Sequence, residues 1–158
     1  GGGMKNDAAV RCVSRNGDRR ELLKGPLIYC GVVTAITALH WRTSISGVAA
    51  LSALCGGDGL SDIVGRRLGA GNKLWFNKNK SVAGSAAMFL GAFGFSMGLT
   101  SAFHSLGYLQ LSASSAAVRL ASVAAACTVV EALPITARVD DNILVPVAAL
   151  LLGRMLFK

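Results

Sequence analysis

Long apolar runs separated by short polar stretches set the frame of this 158-residue chain. Residues 1–24 are polar and basic and read as a loop or an amphipathic surface segment. Residues 25–41 form the first apolar run, near the lower limit of about 17 residues for a membrane span. Trp41 and Arg42 close it as an interfacial aromatic and a charge stop, and His40 reads as an interfacial residue rather than a ligand. A second run, residues 43 to about 64, is rich in Gly, Ala and Ser, which let transmembrane helices approach closely. Gly56, Gly57 and Gly59 make its end easy to break or unwind. Between Ser81 and Val118 there is no formal charge, too long a stretch for one span of about 20 residues. The pattern predicts a helix from 81 to about 103, a neutral turn around 104–115 and a new helix. Gly94 and Gly98 form a GxxxG that reads as a packing seam. The fourth span is 116–134, stopped by Pro134, and a short last run is 142–157, with Pro146 near its first turn. The expected fold is all-α: a polytopic membrane helix bundle of about five transmembrane helices in residues 25–158, with a basic loop at 65–81.

Composition supports this class. The apolar fraction is 53 % and the charged fraction 15 %, against roughly 25 % charged in soluble domains, and the mean hydropathy is +0.53. The net charge of +8 is concentrated between the apolar runs. It suits an anionic lipid surface or nucleotide phosphates. Nucleic acid is excluded as a partner, because there is no soluble basic domain with interleaved aromatics. Cys12, Cys30, Cys55 and Cys127 are scattered, with no C-x-x-C pair, so neither a disulfide nor a zinc framework is expected. Gly1-Gly-Gly-Met4 is followed by polar residues rather than a basic-then-apolar signal. The start reads as an internal fragment or a misassigned gene start.

Counting crossings places the N-terminal basic segment, the 66–81 loop and Asp140-Asp141-Asn142 on one side, the cytosol-like side by the positive-inside bias. The chemistry-capable residues therefore converge on one face. Asp58 and Asp62, four residues apart, share a side of any helix through Cys55-Gly-Gly-Asp-Gly-Leu-Ser-Asp62. They are candidate catalytic residues and candidate ligands for Mg²⁺, which takes one or two protein carboxylates plus substrate phosphates. Arg66, Arg67, Lys73, Lys78 and Lys80 could hold phosphate oxygens. Ser81, opening a helix, could cap it and offer its amides to an anion. Glu131, at the end of an apolar helix, is a functional candidate because a carboxylate there is costly. Asp140 and Asp141 are either further metal ligands or a helix N-cap region. No Walker A loop and no nucleophile elbow is present. Phosphoryl transfer, which needs positioning and charge neutralisation above all, fits this set. A lipid-phosphate cytidylyltransferase is a second enzyme reading, and a cation transporter using Asp58, Asp62 and Glu131 is a reading of another class.

Three separated segments, GGDGLSDIVGRRLG, NKNKSVAGS and VEALPITARVDDNILVP, taken with Arg20-Glu-Leu-Leu-Lys-Gly-Pro26, resemble the polyprenol kinase family, in particular the plant-type phytol and farnesol kinases. The similarity runs from about Val10 to the C-terminus. The resemblance implies a multi-span membrane kinase acting on an isoprenoid alcohol with CTP as donor. For the phytol branch it implies a chloroplast membrane and phytol salvage towards tocopherol, with farnesol or another polyprenol as the alternative substrate. The chain departs from the family pattern at Ser61, where Ala is usual, in a 69–73 linker about one residue longer, and at Leu74-Trp-Phe76, where Leu-Pro-Tyr is usual. The family's first spans and transit peptide are not seen in this sequence.

Overall fold

A computed structural model describes residues 19–134 and 139–158, with side chains from Gly25 onward except that of Trp41. Five helical passes account for nearly all of it. Helix α1 is Arg19–His40, and a 3₁₀ turn, Trp41–Thr43, follows it. The next pass is one unbroken helical rod of three parts: α2 (Ile45–Leu51), a π-helical turn (Ser52–Asp58) and α3 (Gly59–Leu68). Helices α4 (Val82–Ser105), α5 (Ala113–Ala132) and α6 (Asp141–Leu156) complete the bundle.

Each predicted apolar run is therefore a helix. Three passes, Ile45–Leu68, Val82–Ser105 and Ala113–Ala132, are long and apolar enough to cross a membrane, and Gly25–His40 is a shorter apolar helix. The outward faces carry large hydrophobic side chains on every pass, including Leu39, Ile63, Leu90, Phe95, Val118, Val129, Leu151 and Met155. Helices that are apolar all round belong in lipid.

The interior is built mostly from small residues. Ala49, Ala50, Ala53, Ala92, Ala116, Ala124 and Ala149 surround Met88, Leu120, Val123 and Val145. Helix α4 packs against the π turn, α3 and α5, while α6 packs against α2 and α5. Close approach is clearest where α4 meets the π turn. A Cβ on Gly57 would come within 2.8 Å of Met88 Sδ, and one on Gly91 within 2.6 Å of the Gly56 carbonyl oxygen.

Three expectations change. The Gly94/Gly98 pair is not the seam within this chain: both are exposed, and a Cβ on either would meet nothing within 4 Å among the described residues. The seam forms one turn earlier, at Gly91, because that is the face of α4 turned to the π turn. The glycine-rich end of the second run does not break. It widens into a π turn, a form found frequently at functional sites, and the rod continues to Leu68. Helix α1 begins at Arg19, six residues before the apolar run, so the end of the polar segment is helical. The rest of that segment, like Arg138 and the notional start of the family match, lies outside the described residues.

The ends follow local rules. Ser44, Ser81, Ser112 and Asp140 each accept a backbone N–H at a helix start. Gly107 adopts φ +79° just past α4, the left-handed conformation that glycine takes after a helix. Leu133 is extended before Pro134, as a residue preceding proline must be. Cys30, Cys55 and Cys127 are free thiols.

Candidate functional site

The polar chemistry gathers where the 69–81 loop meets the end of α5 and the start of α6. The loop folds back on itself. Leu74 N–H donates to the Lys80 carbonyl at 3.1 Å, and Val82 N–H to the Asn72 carbonyl at 2.9 Å, with an antiparallel bridge between Lys73 and Ser81. Asn77 fixes it to the bundle. Its buried side-chain amide donates to the Ala132 carbonyl at 2.9 Å, its Oδ1 accepts Asn79 N–H at 3.2 Å, and its carbonyl accepts Lys80 N–H at 3.1 Å. These bonds carry the Lys80 side chain inward.

Lys80 Nζ donates to Glu131 Oε1 at 2.5 Å and reaches Asp141 Oδ2 at 3.4 Å. The Glu131 side chain is 2 % exposed and that of Lys80 13 %. Ser61, on α3, donates its hydroxyl to the same Glu131 Oε1 at 3.1 Å. The other oxygen, Oε2, is buried and has no hydrogen-bond partner among the described residues. Asp58, the last residue of the π turn, lies in the electrostatic field of Asp141, Lys80, Glu131 and Asp62. The π turn, α3, the loop, α5 and α6 thus bring three carboxylates, one ammonium and one hydroxyl together, with two negative charges in excess when all are ionised.

The remaining predicted residues lie around this centre. Asp62 is held by Arg66 through both oxygens, at 2.9 Å to Nε and 2.7 Å to a terminal nitrogen, one helical turn away and near solvent. Asp58 and Asp62 therefore share a side of the rod but have different partners. Arg67, Lys73 and Lys78 are exposed. Ser81 is buried, and its hydroxyl accepts Gly84 N–H at 3.1 Å as the cap of α4. Asp140 caps α6, accepting Asn142 N–H at 3.0 Å and the Asn142 side-chain amide at 2.8 Å. Its neighbour Asp141 turns to Lys80.

Sequence reasoning did not single out Asn77, and met Ser61 only as a departure from a family pattern. Signals existed for both: an asparagine in a loop of lysines can hold carbonyls, and a serine on an apolar helix needs a partner.

Among the described residues no three His, Cys, Asp or Glu side chains converge closely enough to enclose a metal ion. A cation held mainly by substrate phosphates needs only one or two carboxylates. The excess negative charge around Asp58 and Asp141, and the unshared oxygen of Glu131, fit that mode.

Comparison with curated proteins returns plant enzymes. The chain is 49 % identical over 156 residues to the probable phytol kinase, chloroplastic, of Triticum aestivum, covering 99 % of this chain and 52 % of that protein. It is 42 % identical over 152 residues to phytol kinase 1, chloroplastic, of Arabidopsis thaliana, covering 96 % and 50 %. It is 41 % identical over 152 residues to the farnesol kinase, chloroplastic, of the same plant, covering 96 % and 49 %. The chain thus spans about half the length of the curated relatives it matches. No family model matches it, and no solved structure does.

Proposed function

We propose that the protein is a membrane kinase transferring the terminal phosphoryl group of a nucleoside triphosphate, CTP on the family resemblance, to an isoprenoid alcohol. Phytol is the first substrate and farnesol the alternative, since relatives of both names match the same residues. Their names also favour a chloroplast membrane, and phytyl phosphate made there would serve tocopherol synthesis.

The observation that carries this reading is the buried Glu131, with one oxygen shared by Lys80 and Ser61 and the other unshared. It lies at the end of a span, the level at which a long-chain alcohol holds its hydroxyl while its chain stays in lipid. Exposed Arg67 on α3, and Lys73 and Lys78 in the loop that carries Lys80, offer cations to phosphates arriving from water. Arg66 can join them when a phosphate competes with Asp62. A divalent cation, Mg²⁺ by the donor chemistry, would be held by Asp58 and Asp141 with substrate phosphates, and would neutralise charge on the transferred group. Asp62 and Asp140, engaged by Arg66 and by the α6 cap, then support the site from its edge. Catalysis in this reading is mostly positioning and electrostatics, as phosphoryl transfer requires.

The test uses membranes containing the protein, each alcohol in turn, and CTP labelled at either the α or the γ phosphorus. Label from the γ position alone should appear in the alcohol monophosphate and should need a divalent cation. Transfer of the α label to a lipid phosphate would make the protein a cytidylyltransferase. Cation flux without nucleotide, and no labelled lipid, would make it a transporter.

A further inference from the structure

Ser61 is 5 % exposed, on the face of α3 that packs on α4. Helix α4 lies close opposite it: a Cβ on Gly84 would lie 3.3 Å from the Ser61 carbonyl oxygen and 3.4 Å from its Oγ. The hydroxyl lies beside Gly84 of α4 and spans to α5, where it donates to Glu131 Oε1. Lys80 donates to that same oxygen. Two donors on one carboxylate oxygen fix the rotation of the group and leave Oε2 as the only open acceptor.

An unsatisfied buried carboxylate oxygen is costly, and its neighbours sharpen the point. Among the described residues, the charged groups around Glu131 are Lys80 from the loop, Asp58 from the π turn and Asp141 from α6; α4 brings none. Lys80 is committed to Oε1, so Oε2 is open to a further donor, and an alcohol O–H is one.

We propose that Ser61 is a positioning residue that, with Lys80, pins Glu131 so that Oε2 accepts the hydroxyl of the lipid alcohol. This rests on the kinase reading above. In the transfer step the alcohol oxygen forms its bond to the γ-phosphorus as the bond from that phosphorus to the bridging oxygen breaks. The hydroxyl proton passes to Glu131 Oε2, and the nucleoside diphosphate leaves with the electron pair. The proton returns to water after product release.

Two measurements test the assignment. In the first, Ser61→Ala, produced at wild-type abundance, should lower kcat about three- to tenfold with the KM for nucleotide unchanged, a fraction of the effect of a general base. Ser61→Thr, which keeps the hydroxyl, should restore it. In Glu131→Gln the Ser61→Ala change should have no further effect, because the two residues act as a unit. An unchanged kcat in Ser61→Ala, or the same loss in Ser61→Thr, overturns the role. The second needs no turnover. Infrared difference spectra on adding farnesol to the nucleotide-free protein should show a carboxylate band that disappears in Glu131→Gln and shifts in Ser61→Ala. A farnesol difference spectrum lacking that band overturns the contact, even where kinase activity is present. A band with the expected dependence, in a protein that transfers no phosphate, supports the contact while the kinase reading fails.

Discussion

Lys78 and Lys80 are two residues apart and alike in sequence, but their surroundings differ. Lys78 is exposed, while Lys80 is enclosed between Glu131 and Asp141. Lys78→Ala should raise the KM for nucleotide several-fold and leave the alcohol KM unchanged, measured by varying each substrate in turn. A rise confined to the alcohol KM would assign the loop to the lipid site. Lys80→Ala should act on the fold as well. It strands a buried carboxylate, and removing one partner of such a pair costs about 3–5 kcal/mol. The protein should accumulate less and unfold at lower temperature in detergent. Adding Glu131→Gln should recover much of that stability but not activity. Asp58→Asn, nearly equal in volume, should abolish turnover without loss of protein, whereas Asp62→Asn, which releases Arg66, should be milder. Equal activity in Asp58→Asn and wild type would remove Asp58 from the centre. The sequence identified Asp58, Glu131 and the basic residues as candidates, since charge beside apolar runs is conspicuous. It could not divide the lysines, because that depends on which way a loop of alternating Asn and Lys folds.

At the scale of elements, the loop and the π turn hold the site. Asn77 ties the loop to the last carbonyl of α5. Asn77→Ala leaves that carbonyl unpaired and should cost about 1–3 kcal/mol, read as a lower unfolding temperature, with a fall in kcat as Lys80 loses its register. Unaltered stability and kcat would make the bond incidental. The π turn brings Asp58 towards Asp141 while Gly57 lets α4 lie against it. Gly57→Ala should be destabilising by about 1–3 kcal/mol, since the Met88 side chain must move and Ala92 and the α4 backbone give way to admit the methyl group. Helix positions and ends were legible from apolar runs, serines and prolines. The π turn was not: its glycines suggested a break, whereas the rod stays continuous with α4 packed closely against it. Nor was the choice between Gly91 and Gly94 as the seam, which requires knowing the face α4 turns inward.

The bundle as a whole sets polar groups at one end and lipid-facing side chains along its length. Cysteines placed at Asn79 and Val139 in a cysteine-free background should be labelled by an impermeant reagent from the same side of the membrane, and one at Gln110 only from the other. Labelling of Asn79 and Val139 from opposite sides would contradict a single active face. The meeting of the 69–81 loop with Asp141 at one end of the bundle was legible by counting crossings, because each run folds as one pass; the start of the basic N-terminal segment lies outside the described residues. The identity of the alcohol was not, since prenols share one hydroxyl head group and differ in the length and saturation of their chains. The central claim is that the enclosed Glu131 end is a phosphoryl-transfer centre. Its most direct test is transfer of the γ label of CTP to phytol by membranes holding equal amounts of wild type and Glu131→Gln. The account predicts labelled phytyl phosphate from wild type and a loss of about 10²-fold or more in the variant, the scale of a removed general base. Equal label from both proteins would contradict it.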